Sequence, residues 1–338
     1  MLRFTAMEIF VLGAGAIGSL YGAKLAAGND VTIVGRPDHV RAINENGLRI
    51  EGLESQTVRV RAATHIERIS SDALILLTTK VASTAGALEP VGSLVRNDTT
   101  IVALQNGLNS DEIARAAVQE RGVVLRGITQ FGAIFEGPGV IRYMAKGYTL
   151  LEKHERSERI AAVLNAAALD CRISADITKE VWRKLIFNCV VNPVTTIVGC
   201  KVGGITDPSL DRVKQLILDE CLAVAGAEGV LLTGDFMTEI NAAYVGSENI
   251  VSMRQDLLRG RITEIDYLNG AIVALGARHG LECPVNDGLV RIIKGLEKAS
   301  KGKDNRGGPR LPPQESQTKT TDRPGVRAPE TISSEITR

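Results

Sequence analysis

Aromatic residues are scarce in this chain of 338 residues, 4% of the total with a single tryptophan, so it offers few flat platforms on which bases stack. An excess of charge of one sign is also missing. Lys and Arg number 40 against 39 Asp and Glu, and a net charge of +1 leaves no electrostatic footprint for nucleic acid or an anionic membrane. No apolar run reaches the ~20 residues of a bilayer span, and Met1 to Phe10 holds no signal-peptide core. Cys171, Cys189, Cys200, Cys221 and Cys283 are scattered and never in CxxC spacing, which argues against a disulfide framework and a structural zinc site. The expectation is a soluble cytoplasmic protein with no metal and no nucleic-acid or membrane partner, long enough for two domains that each bury a core.

What is present centres on Trp182-Arg-Lys-Leu-Ile-Phe-Asn-Cys-Val-Val-Asn192. Lys184, Asn188 and Asn192 recur at i, i+4 and i+8, and on an α-helix they share one face, drifting by ~40° per step. Leu185, Ile186, Phe187, Val190 and Val191 make the other faces apolar, so a core helix carries one polar stripe. The stripe faces either a ligand or solvent. Pro193 biases Asn192 away from the α region, and the helix is expected to end or kink there.

Glu8-Ile-Phe-Val-Leu12 is a short apolar run of buried-strand type, followed at once by Gly13, Ala14, Gly15, Ala16, Ile17 and Gly18 and a helical stretch to Ala27. A GxGxxG between strand and helix points to a dinucleotide-binding α/β domain of Rossmann type: one glycine for the turn, one for the approach of a pyrophosphate, one for close helix packing. The next strand, Asp30-Val-Thr-Ile-Val34, ends in Gly35-Arg36, where an NAD-binding fold places an acidic residue. Arg36 suits a ribose 2′-phosphate, as does Lys80 after the strand Ala73 to Thr79; each is otherwise a surface charge. Asn106, after the strand Thr100 to Leu104 and before Gly107, is either a turn residue or a contact to nicotinamide ribose and substrate. From Val123 to Leu151 glycine-punctuated strands and a hairpin are expected to finish the sheet, and Ser157 to Ala168 to form a helix.

After Asp176 helical spacing replaces strand alternation, so an all-α domain is expected over residues 176–300, following an α/β domain over 1–175. A long helix runs from Pro208 to Glu228. Ser252-Met-Arg-Gln255 has capping-box spacing, which makes Ser252 an N-cap whose free helix end also suits a carboxylate. Thr263 and Asp266 repeat that spacing at the start of another helix, with Glu264 in its first turn, where the helix dipole alone accounts for it. Residues 301–338 have almost no large apolar side chains and are expected to be disordered.

Taken together, the glycine loop, Gly35-Arg36, Thr79-Lys80, Gln105-Asn106-Gly107, Trp182 to Pro193, and Ser252 to Asp256 with Gly260 to Gly270 resemble the ketopantoate reductase family. The likeness covers residues 7 to 298. It implies NADPH-dependent reduction of 2-dehydropantoate to (R)-pantoate in pantothenate biosynthesis, in a cleft between the two domains. It further implies that Lys184 is the proton donor with Glu264 beside it, and that Asn106, Asn188, Asn192 and Ser252 hold the 2-oxo acid. Gly13 to Gly18, Arg36, Lys80, Asn106, Gly132 and Glu264 would then contact NADPH. Val202 and Phe131-Gly132 depart from residues found in some members. The alternatives are a reductase of another branched 2-oxo acid and a non-catalytic NADPH sensor; a homodimer is compatible with all three.

Overall fold

Short apolar runs bounded by glycines and polar turns form the inner strands of the computed structural model, which describes residues 6–301. The first half runs β1 (Glu8–Leu12), α1 (Ala16–Leu25), β2 (Asp30–Val34), α2 (Pro37–Asn46), β3 (Leu48–Gly52), β4 (Gln56–Val58), β5 (Arg61–Ala63) and β6 (Leu74–Leu77). It continues with α3 (Thr84–Gly92), β7 (Thr100–Ala103), α4 (Ser110–Ala117), β8 (Val123–Thr129), β9 (Gly132–Gly137), β10 (Val140–Ala145), β11 (Thr149–Leu151), α5 (Ser157–Ala166) and β12 (Cys171–Ile173). Helices alone follow: α6 (Ile177–Val198), α7 (Asp211–Ala227), α8 (Phe236–Tyr244), α9 (Ser252–Leu258), α10 (Asn269–Arg278) and α11 (Pro284–Lys301). The disorder expected for 301–338 falls outside the described residues, apart from Lys301 at the end of α11.

Eight strands make one sheet in the order β12-β11-β8-β7-β6-β1-β2-β5, parallel from β8 to β5. The chain leaves β1 toward β2 and β5, then returns to β6 on the other side. That doubly wound order is the Rossmann type, and it opens a crevice outside the carboxyl ends of β1 and β6. β1, β6 and β7 are buried on both faces, as their unbroken apolar runs require. One face packs on α1 and α5, the other on α3 and α4.

Two expectations are corrected here. The strands of Val123–Leu151 do not all finish the main sheet: β9 and β10 pair antiparallel and join β3 and β4 in a second sheet, ordered β4-β3-β10-β9, that packs on α1. Its two halves, β3-β4 and β9-β10, meet through residues about ninety apart in sequence, and strand patterning carries no information on such a pairing. Nor does the helix stop at Asn192. α6 continues through Pro193 to Val198, and the one carbonyl that proline leaves without its helical N–H, Cys189 O, accepts from Asn269 Nδ2 at 2.9 Å.

The helical part has its own core around Trp182, Leu185, Ile186, Ile217, Leu218 and Ile272. Among the described residues no helix is long and apolar enough to cross a membrane.

Candidate active site

At the crevice between β1 and β6 the chain is too close for side chains at two glycines. Gly13 has φ +117° and a Cβ there would lie 2.5 Å from Thr79 N; at Gly18 it would lie 2.2 Å from Gly13 O. Gly15 is different, with nothing within 4 Å of a would-be Cβ. It is the N-cap of α1, and among the described residues no side chain caps the helix's first amides. An open face over free N–H groups at the positive end of a helix fits a pyrophosphate. Ala14 and Ala16 complete this loop, and Ile17 reaches the cavity described next. Arg36, just past the carboxyl end of β2, is exposed, and no side-chain bond holds it among the described residues.

A cavity of about 340 Å³ lies where the carboxyl ends of β6, β7 and β8 meet the helical part. Thr79, Lys80, Asn106, Thr129 and Gly132 line it from the sheet side; Lys184, Val202, Asn249, Ser252, Gln255 and Glu264 line it from the helical side. Gln105 also borders it, donating to Thr79 and Thr84 hydroxyls while its Oε1 is buried without a partner. An orphaned acceptor in a cofactor-sized crevice is a further fit to a bound group with donors to spare.

Lys184 is half-buried on α6, and its Nζ donates to Thr129 O at 2.7 Å. Burial pushes its pKa down to about 7, the nearby Arg126 guanidinium pushes the same way, and Glu264 opposes both. Glu264 in turn accepts from Asn106 Nδ2 at 3.3 Å and from Val81 N at 3.4 Å. A cation able to release a proton near neutrality, an amide and a carboxylate therefore converge on one cavity.

Other expected site residues are placed differently. Lys80 lines the cavity, but its amine is engaged: Nζ donates to Asp256 Oδ2 at 2.6 Å and to Ile262 O at 2.8 Å. Of the two cations expected beside the ribose 2′-phosphate, Arg36 alone has no side-chain partner among the described residues. Asn188 and Asn192 do not line the cavity, and Asn192 is buried. Ser252 does line it, but as the first residue of α9 rather than its N-cap, which is Val251 and bonds no amide through its side chain. Thr263 and Asp266 form no capping box. Thr263 Oγ1 donates to Glu297 Oε1 at 2.7 Å, Asp266 pairs with Lys294, a 3-10 turn spans Ile265–Tyr267, and the helix waits until Asn269. Asn249 and Arg126 were not among the site residues expected from the sequence, and Gln255 was read only as part of a capping box. Only Arg126 left a signal there, as the one charge within the apolar run Val123–Thr129; Thr129 acts through its backbone and could leave none.

A doubly wound sheet with a glycine loop at its switch point, facing helices that carry a lysine of depressed pKa, defines a two-part dinucleotide-dependent oxidoreductase. More narrowly, the chain belongs to the ketopantoate reductase family. The family model for ketopantoate reductase PanE/ApbA matches residues 9–156, and that for its C-terminal part matches 176–297. The chain is 38% identical to a 2-dehydropantoate 2-reductase of Pyrococcus abyssi over 301 residues, 86% of this chain and 98% of that one. Among solved structures it is similar to a PanE/ApbA family ketopantoate reductase of Ralstonia eutropha JMP134, with TM-score 0.80, 30% identity and coverage of 87% and 100%. A D-mandelate dehydrogenase with NADH and anilino(oxo)acetate has TM-score 0.81, 27% identity and coverage of 87% and 99%.

Proposed function

We propose that this chain is an NADPH-dependent 2-dehydropantoate 2-reductase, converting the 2-oxo group of 2-dehydropantoate to the alcohol of pantoate. The observation that carries this reading is Lys184, held on Thr129 O inside the cavity with its pKa lowered to about 7. Bound NADPH supplies the hydride that adds to the carbonyl carbon. Lys184 polarises the carbonyl oxygen and gives it a proton, because an ammonium with pKa near the working pH is both charged enough to stabilise an alkoxide and acidic enough to neutralise it. Glu264 keeps the amine protonated and, through its bond from Asn106, fixes the amide that would orient substrate and nicotinamide ribose. The loop Gly13 to Gly18 would hold the pyrophosphate and Arg36 the 2′-phosphate, with Lys80 and Gly132 on the walls. Ser252 would meet the substrate carboxylate, with Asn188 and Asn192 extending the polar face of α6. We divide the chain between 175 and 176, so that cofactor and proton donor come from opposite sides of the cleft.

Lys184→Ala should lower turnover by about 10²–10⁴, the range for a lost general acid, while NADPH affinity and melting temperature hold. With the acid form active, wild-type reduction should fall as pH rises through the Lys184 pKa, and the alkaline limb should vanish in the variant. Near-wild-type turnover in folded, NADPH-binding Lys184→Ala would end this reading. Val202, Ile250 and Val251 make part of the wall apolar, which favours a second substrate class, other branched 2-oxo acids. A panel of 2-oxo acids ranked by kcat/KM decides, and another acid above 2-dehydropantoate would replace it.

A further inference from the structure

We infer that Arg126 is a positioning residue for this site: its guanidinium ties down the backbone on both sides of Asn106 and sets a fixed positive charge behind Lys184. The inference rests on the reading of Lys184 as proton donor. Arg126 sits in the inner strand β8 at 5% exposure, and its Nη2 donates to Gln105 O at 3.0 Å and to Gly107 O at 2.7 Å. The residue between those carbonyls is Asn106. Three residues on, the same strand presents Thr129 O to the Lys184 amine. One strand therefore positions both the amide and the amine of the site.

No carboxylate pairs with this guanidinium among the described residues. Asp111 and Glu152 are the acids that act on it, and each is turned elsewhere. Arg115 Nη1 holds Asp111 Oδ2 at 2.7 Å, while Glu152 Oε2 accepts from the Arg126 backbone N–H at 2.8 Å and lies 3.9 Å from Arg115 Nη2. Arg126 Nε and Nη1 are buried and bond nothing among the described residues. A buried cation without a counterion is costly, and an apolar side chain would suit a strand flanked by Leu125 and Ile128 better. Burial lowers its pKa to about 10, which leaves it charged at neutral pH.

The groups acting on Lys184 are few. Arg126 acts from β8 and Glu264 from the turn before Ile265; along the same cavity Lys80 and Asp256 neutralise each other, and Arg183, next to Lys184 on α6, is paired with Glu239. Two neighbouring cations disfavour each other, and the one that yields is the lysine, since guanidinium holds its proton more tightly. The same charge that disfavours the lysine's proton would also favour an anion developing in front of it.

The test uses the full chain with ¹³C-labelled lysine, the Lys184 signal being assigned by its loss in Lys184→Ala. In Arg126→Met and Arg126→Gln the pH midpoint of that signal should move up by about one unit, the effect of removing a nearby like charge. The alkaline limb of kcat/KM should move with it. Arg126→Gln keeps a donor for the loop carbonyls, so it serves if the methionine variant does not fold. An unmoved midpoint in either folded variant overturns the inference, and so does an alkaline limb of kcat/KM that stays at its wild-type pH. If the wild type turns over no 2-oxo acid, the functional reading fails by itself; the titration still decides the role of Arg126.

Discussion

Arg36 and Lys80 carry the same charge at the carboxyl ends of β2 and β6, and their surroundings give them different work. Lys80 spends its charge on Asp256, whereas among the described residues no acidic group holds Arg36. A phosphate arriving beside Arg36 displaces only water; one arriving beside Lys80 must compete with a carboxylate. Arg36→Asp should therefore weaken NADPH on the order of 10- to 100-fold, through lost attraction plus new repulsion, and change NADH affinity far less. Fluorescence titration with both cofactors checks this, and equal loss of the two would make Arg36 structural. In the sequence the two cations were indistinguishable, because an ion pair between residues 80 and 256 leaves no local pattern. Lys184 stood out for another reason: it heads a polar stripe with Asn188 and Asn192 among Leu185, Ile186, Phe187, Val190 and Val191, and such a stripe has to face something polar.

At the scale of elements, the clearest device is the way α6 runs past its own proline. Asn269, fully buried at the start of α10, gives one amide N–H to Cys189 O and another to Asn286 Oδ1 at 2.8 Å, so it ties three helices together. Asn269→Ala leaves Cys189 O and Asn286 Oδ1 short of donors and should cost about 1–3 kcal/mol by denaturant unfolding. In a Pro193→Ala background the restored N–H of residue 193 can reach Cys189 O, and the same substitution should then cost measurably less. Equal cost in both backgrounds would show that Asn269 matters for packing alone. The sequence carried only the proline's local bias against helix at Asn192, and a side chain 76 positions further on decides the outcome. The glycine loop needed no such help: strand, loop and helix are contiguous, and the whole signal lies within Glu8 to Leu25. The second sheet was illegible for want of contiguity, since β3 and β10 meet only in the folded chain.

Across the whole molecule, the α/β part and the helical part are joined at and around the cavity by a short set of polar contacts. Lys80 reaches Asp256 and Ile262 O, Glu264 meets Asn106 and Val81 N, Lys184 meets Thr129 O, and Arg259 Nη2 donates to Phe135 O at 2.9 Å. Each side has its own apolar core, so these bonds fix the relative placement of the two cores more than the stability of either. The Lys80–Asp256 pair shows how such a contact should behave. Lys80 is 40% exposed in its side chain, and a pair that wet contributes ~0–1 kcal/mol, so Lys80→Ala should hardly move the melting temperature. Its effect should be local: with Nζ gone, Ile262 O and Asp256 lose their link to the sheet, and the segment from Asp256 to Glu264 should open more often. Hydrogen exchange of that segment should quicken in Lys80→Ala while exchange in β1, β6 and β7 stays unchanged. Quickened exchange across the sheet strands as well would mean that Lys80 supports the fold, and unchanged exchange at 256–264 would mean that the bridge does not hold the two parts together.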